Sequence, residues 1–396
     1  MSNVYKYPSV DDLIKKAKSR IPNFVFEYLS GGCNDNIAVD RNTRDIRNIE
    51  LRPYYITDHK EADLKTELFG HTYDLPFGIS PVGLQGLMWP NSPEILARAS
   101  LKHNIPFVIS TLTTSTIERL SELTEGRAWF QLYHPKETDL RDKILKRVED
   151  AGCPVLVLIS DMPTNAYRPC DMRNGLGLPL KMSLKNILQI LARPEWLLKT
   201  LKYGQPKFAI MEPYLKSLNN HLNFDNQLTG EKIAAIRDRW KGKLVIKGIA
   251  SEEDAEAAIR LGADGIIVSN HGGRQLDAGP SSIKTLGPIV ENYHDQIKIM
   301  MDSGLRSGPD IARTLATGAE FTFMGRNFMY AVAALGDEGA DHIIECLKIQ
   351  LKQVMEQISC TSVGDLKNHL MKPVYQPVQH AVRQIQSELV INDLSA

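Results

Sequence analysis

The densest chemistry in this chain of 396 residues lies in one nonapeptide, Ser269-Asn270-His271-Gly272-Gly273-Arg274-Gln275-Leu276-Asp277. His271 directly follows an apolar run. A histidine placed there has a fixed backbone, and its neutral imidazole can accept a proton near pH 7. Gly272 and Gly273 let a substrate or a ring approach the main chain closely. Arg274 then returns to the same place with a planar fork suited to a carboxylate. A lone strand-end His and Arg are as a rule satisfied by local hydrogen bonds, so this motif needs company. Lys247, in Val245-Ile246-Lys247-Gly248, and Asp161 supply it. Each is a charge in or at the end of a buried run, costly there unless paired. Two glycine-rich turns, Asp302-Ser303-Gly304-Leu305-Arg306-Ser307-Gly308 and Met324-Gly325-Arg326, lead into helical patterns. Such turns present N–H groups and a positive dipole end, and their arginines add charge. Alone they say only that something phosphorylated binds.

Eight elements must position these groups. Short apolar runs rich in Val, Ile and Phe occupy 75–81, 106–111, 128–133, 155–161, 244–248, 265–270, 297–304 and 321–326. Runs of this kind are strands buried on both faces. Helical patterns such as 251–261 and 310–317 lie between most of them. Eight strand–helix units predict an α/β fold, a closed (β/α)8 TIM barrel, with an open doubly wound sheet as the structural rival. A barrel builds its active site at the C-terminal ends of its strands. Those ends carry Ser110, Gln131, Tyr133, Asp161, Lys247, Asn270, His271, Asp302, Arg306 and Arg326. The whole chain, 1–396, reads as one domain with two decorations. Residues 1–50 form a helical prologue in which Pro22 opens a helix and Gly31-Gly32 close it. Residues from about 162 to 243 form a long insertion after the fourth strand, too long for an ordinary loop. A polar tail runs from about 371 to 396.

Composition narrows the function. A hydrophobic share of 43% with 24% charged residues is that of a globular protein with a large core. Net charge is formally zero and no basic stripe appears, which argues against nucleic acid. Five scattered cysteines without a Cys-x-x-Cys pair argue against a disulfide framework or a metal site and fit a reducing compartment. The first residues do not read as a secretory signal, and no apolar run approaches the roughly 20 residues a spanning helix needs. The expectation is a cytoplasmic protein, with peripheral attachment to the inner face of the membrane as its variant.

The nonapeptide and the ordered set of strand-end residues resemble the FMN-dependent L-2-hydroxy acid dehydrogenases and oxidases. That family includes glycolate oxidase, L-lactate dehydrogenase and mandelate dehydrogenase, and the likeness runs from about Tyr5 to Leu366. It implies FMN as cofactor and oxidation of a small L-2-hydroxy acid to the 2-oxo acid. His271 would be the base, Asp161 its orienting carboxylate and Lys247 the lysine beside the flavin N1 and O2 edge. Tyr28, Tyr133, Arg168 and Arg274 would hold the substrate, the two arginines as carboxylate clamps. Pro81, Val82, Gly83, Ser110, Gln131 and Ser269 would meet the flavin, as would Asp302, Ser303, Gly304, Arg306, Gly325 and Arg326. The resemblance further implies oxygen, a quinone or a cytochrome as electron acceptor, and a homo-tetramer or other homo-oligomer. Two alternatives stay open: another FMN-barrel enzyme such as an isomerase, and a non-catalytic flavin-binding or sensor protein. The first would not need Arg168, Asp161 and His271 together. The second is disfavoured by the lack of an added sensor or DNA-binding segment.

Several positions depart from the family pattern. Ile159 and Val82 stand where threonine is frequent, Met162 replaces a threonine, and Gly230 stands where tryptophan is common. Gly83 and Leu112 are expected in the pocket wall, where glycolate oxidases often carry Ala and Trp. That predicts a roomier pocket, for lactate or a bulkier acid. In the insertion, Leu184, Ile187, Leu188 and Leu191 fall at helical spacing; Pro194 interrupts, and Trp196, Leu197, Leu198 and Leu201 follow. Lys181, Lys185, Arg193, Lys199 and Lys202 flank them, giving a basic amphipathic segment. Such a segment lies on a membrane surface, or it covers the barrel mouth as a lid or subunit contact.

Overall fold

A computed structural model describes residues 5–176, 182–214, 224–225 and 227–371. Eight parallel strands form the barrel: β1 (Phe77–Ile79), β2 (Val108–Ser110), β3 (Trp129–Leu132), β4 (Val155–Ile159), β5 (Lys243–Ile249), β6 (Gly265–Val268), β7 (Lys298–Met301) and β8 (Phe321–Met324). They pair in the order β1-β8-β7-β6-β5-β4-β3-β2. An Ile79–Phe107 bridge brings the two ends together and nearly closes the ring. Seven of the predicted runs contain one of these strands, and the run 244–248 lies inside β5.

The side-chain period of a strand divides the core in two. Val155 and Val157 point inward to join Val108, Trp129, Val245, Ile267, Met300, Phe321 and Phe323. Leu156 and Leu158, one residue out of phase, face the surrounding helices. The N-terminal end of the barrel is plugged by a hairpin, Thr66–Leu68 with His71–Tyr73, that sequence reasoning did not foresee. At its turn Phe69 packs on Trp129 at 5.7 Å, and Tyr73 packs on Phe321 at 5.6 Å. The opposite, C-terminal end carries the cavity.

Three prologue helices, α1 (Val10–Arg20), α2 (Asn23–Ser30) and α3 (Ile37–Arg47), flank that end. A capping box between Ser9 and Asp12 starts α1. Pro22 opens α2 and Gly31 ends it, as the sequence predicts. The turn after α2 presses on the His271 loop: the Cys33 N–H donates to the Gly273 carbonyl at 3.0 Å. A Cβ on Gly273 would stand 2.6 Å from the Val39 nitrogen, so only glycine fits there. The Asp277 carboxylate accepts from the N–H groups of Asp35 and Ala38, and the side-chain amides of Asn42 and Asn270 pair at 2.8 Å.

Among the described residues the insertion carries four α-helices, Pro169–Arg173, Leu184–Leu191, Pro194–Tyr203 and Gly230–Arg239. Ser183 caps the second and Pro194 opens the third. They dock on the prologue: Gln189 accepts from the Phe24 N–H at 2.9 Å, Arg193 donates to the Ile21 carbonyl at 3.2 Å, and Arg20 pairs with Glu195. The apolar residues do not share one environment. Trp196 is buried, with its indole N–H on the Leu87 carbonyl at 3.1 Å, and Leu197 packs on the core. Leu184, Ile187, Leu188, Leu191, Leu198 and Leu201 are exposed. Lys181 and residues 372–396 lie outside the described residues. Among the described residues no helix is long and apolar enough to cross a membrane.

Candidate active site

A cavity of about 580 Å³ opens at the C-terminal ends of the strands. Tyr28, Tyr133, Arg168, His271 and Arg274 line it together with Lys247 and Gln131. The Pro81-Val82-Gly83 turn and the Asp302–Arg306 and Gly325-Arg326 turns complete the wall. Ser110, Asp161 and Ser269 do not line it. They stand one step behind, each bonded to a residue that does.

His271 meets Asp161 across the barrel, with Nδ1 3.1 Å from Oδ1. A carboxylate accepts only, so this contact places a proton on Nδ1 and leaves Nε2 free to accept one. Room for Asp161 comes from Gly248, whose φ is +103° and where a Cβ would lie 2.7 Å from the Asp161 Cβ. Burial alone would raise the Asp161 pKa, but the His271 charge and hydrogen bond, with Lys247 nearby, hold it below the usual carboxylate range. Its second oxygen, Oδ2, is buried without a hydrogen-bond partner among the described residues.

Lys247 is 4% exposed, so its charge must be matched. The resemblance sets this lysine beside the flavin edge; the structure supplies Asp302 as its charge partner, with Oδ2 3.1 Å from Nζ. Asp302 also accepts from Ser80 and Ser303, each at 3.0 Å, which ties its carboxylate into a buried network. Lys247 donates its other described bond to Ser269 Oγ at 2.8 Å.

The arginines are only partly satisfied. Arg168 donates to the Arg274 carbonyl at 3.2 Å and to Gln275 at 2.8 Å; Arg274 donates to the Tyr28 and Gly31 carbonyls at 2.8 and 2.7 Å. Asp171 stands farther off, 3.9 Å from Arg168 and 3.6 Å from Arg274. Burial and the like charge of Arg274 both lower the pKa of Arg168, so an additional carboxylate here would be welcomed. Deeper in, Arg326 gives three donors to the carbonyls of Leu29, Gly272 and Gly31 at 2.8–3.0 Å and keeps two. Burial and the neighbouring Arg306 lower its pKa, and Arg306 is lowered by burial as well.

These features form a test for FMN. Two half-buried guanidiniums, one lowering the pKa of the other, call for a dianion such as a phosphate. The buried Gln131 amide accepts from Ser110 at 3.2 Å and leaves its Nε2 donor unpartnered, as a donor to a ring carbonyl or nitrogen would be. The cofactor fits the residues present. Ile159, Met162, Val82, Gly83 and Leu112 all line the cavity, whereas Gly230 begins the helix Gly230–Arg239 away from it. Phe208 and Phe224, from irregular parts of the insertion, line it too and were missed, since no local pattern marks them. Gln275, which orients Arg168, was also missed. Its place beside Arg274 in the nonapeptide was the available signal.

A barrel with paired arginines, a His–Asp pair and a buried lysine at one mouth has the groups a flavin-dependent oxidoreductase needs. Residues 17–373 match the family model of the FMN-dependent dehydrogenases. The L-lactate dehydrogenase of Vibrio parahaemolyticus serotype O3:K6 is 36% identical, covering 88% of this chain and 94% of the relative. That of Haemophilus influenzae strain PittEE is also 36% identical, over 91% and 96%. The crystal structure of the monotopic membrane protein (S)-mandelate dehydrogenase superposes with a TM-score of 0.86 at 34% identity, covering 92% of this chain and 98% of that one. The chain belongs to the FMN-dependent 2-hydroxy acid dehydrogenase and oxidase family and is an oxidoreductase with FMN as its cofactor.

Proposed function

We propose that the protein oxidises a small L-2-hydroxy acid, lactate-like or bulkier, to the 2-oxo acid, with His271 as base and Arg168 and Arg274 as carboxylate clamps. The observation that carries this is the His271–Asp161 pair at 3.1 Å facing two under-satisfied arginines in one cavity. The guanidiniums bind the substrate carboxylate, Tyr28 and Tyr133 border it, and His271 Nε2 takes a proton. Asp161 stabilises the imidazolium that results. FMN, when bound, would supply the acceptor for the two electrons and the second hydrogen that the substrate loses. Lys247 brings positive charge to the flavin side, where negative charge develops on reduction. Gln131, Ser80, Ser110 and Ser269 fix the polar edge of the cofactor bed. Gly83 faces Leu112, and with Met162, Phe208 and Phe224 this leaves apolar space for a side chain larger than that of glycolate. The test is anaerobic mixing of the yellow protein with a panel of L- and D-2-hydroxy acids. Flavin absorbance should bleach with L-lactate-type acids and not with their D-isomers; a flavin that no L-acid bleaches would end this reading.

A second part of the reading concerns the acceptor. The exposed leucine face of the two insertion helices, beside Lys185 and Lys202, suits the interface of an anionic membrane, where a quinone would be the acceptor. The membrane neighbour among the solved structures supports it. The protein should co-sediment with anionic vesicles at low salt. Leu188→Asp with Leu198→Asp should abolish sedimentation and leave flavin reduction by substrate unchanged. Wild-type protein that stays in the supernatant and turns over rapidly with oxygen would favour an oxidase that does not use the membrane.

A further inference from the structure

His271 has φ +57°, and Gly272 and Gly273 follow at +66° and +76°. Three successive left-handed residues are unusual, and the first is not glycine. Such a backbone persists only where its surroundings over-determine it. Two buried hydroxyls do so here. Ser269 Oγ accepts from the His271 N–H at 3.0 Å, and Ser303 Oγ accepts from the Gly272 N–H at 2.9 Å.

The two hydroxyls belong to one closed ring. Ser303 donates to Asp302 Oδ1 at 3.0 Å, Asp302 Oδ2 pairs with Lys247 at 3.1 Å, and Lys247 donates to Ser269 at 2.8 Å. The ring joins the ends of β5, β6 and β7. Ser303 itself sits at φ +82°, a conformation that glycine adopts freely and serine does not. A glycine here would relax the backbone and lose the ring. Keeping serine at a left-handed position is the sign that its hydroxyl is needed.

Resting on the reading of His271 as base, we propose that Ser303 is a positioning residue for the reaction. Its hydroxyl holds the left-handed turn that aims His271 and ties that aim to the Lys247–Asp302 pair beside the flavin. It acts through the main chain of Gly272 and not through contact with substrate.

Ser303→Gly and Ser303→Ala separate the hydroxyl from the strain, since both delete Oγ and only the first relaxes φ. Flavin-saturated protein is mixed anaerobically with the best L-2-hydroxy acid. Both variants should reduce at least about tenfold more slowly at saturation, because small misplacements of a base are costly. Substrate Kd should change less than about threefold, since Arg168 and Arg274 are held by other groups. Ser303→Gly should keep the Tm within a few degrees of wild type. A second readout needs no turnover: carbethoxylation of His271 at pH 7, followed by peptide mass spectrometry, should quicken several-fold in both variants while the other histidines are unchanged. Wild-type reduction by Ser303→Gly, or a loss confined to Kd, overturns the proposal. If no hydroxy acid reduces even the wild type, the functional reading fails instead. An unchanged His271 modification rate would then refute the positioning role independently.

Discussion

At the residue scale the site works through unequal satisfaction of its charges. Asp161 and His271 share one contact, Lys247 and Asp302 are paired, and the arginines are only partly satisfied. The depressed pKa of Asp161 means that its carboxylate stabilises the fold above its unfolded value near ~4. That contribution is lost only as pH falls through the lower folded value, so the pair survives mild acid. His271→Gln should keep bound FMN and lose reduction by substrate by about 10²–10⁴-fold, the usual worth of a positioned base, as read by anaerobic stopped flow. Arg274→Lys should raise substrate Kd by about tenfold or more with a smaller effect on the limiting rate, because an ammonium cannot make the bidentate contact. Near-normal reduction in the histidine variant would remove the assigned role.

At the element scale the end of β3 has a feature that sequence reasoning passed over. His134, next to Tyr133, is buried, and among the described residues its ring nitrogens find no better partner than the backbone at Pro135. Its carbonyl accepts from the Asp225 N–H at 2.7 Å, next to the Pro135–Phe224 bridge that lays Phe224 on Tyr133 at 5.4 Å. Burial lowers the His134 pKa, helped by the positive charges of Arg141 and Lys232 and opposed by Asp225. The unfolded chain therefore binds this proton more readily than the folded one. Stability on this account is intact above about pH 6.5 and is lost as pH falls toward the folded value. His134→Val should flatten the fall of Tm between pH 7 and 5 measured by scanning calorimetry. An equally steep fall in the variant would assign the acid sensitivity elsewhere.

At the scale of the whole molecule a chain of zero formal net charge gathers Arg168, Arg274, Arg306 and Arg326 around one cavity. Their mutual repulsion is a stability cost that a bound dianion offsets. Removal of FMN should lower Tm by several degrees, and saturating FMN should restore it, since a ligand at 100 Kd adds about 2.7 kcal/mol. Millimolar inorganic phosphate should restore part of the loss, and Arg306→Met should remove that part, both read by differential scanning fluorimetry. Phosphate without effect on the flavin-free protein would place the anion site elsewhere.

Local sequence was enough for the strands, for α2 with its Pro22 and Gly31 ends, and for the strand-end residues that share the cavity. Each depends on apolar period, turn chemistry or the residue after a strand, all of which act over a few positions. The tertiary structure decided the contacts. Asp161 and His271 are 110 residues apart; only the family resemblance named them together, and the fold brings them to 3.1 Å. Lys247 could be read as a charge in need of a partner, but Asp302 emerged only when the ends of β5 and β7 converged. Phe208 and Phe224 joined the wall, and Gln275 reached Arg168 behind it, because barrel closure and the insertion's path brought them there. Trp196 turned inward while Leu198 stayed outside, since the prologue covers one side of that helix and not the other. The period along a chain tells which residues are apolar together; which surface meets which is settled by long-range packing.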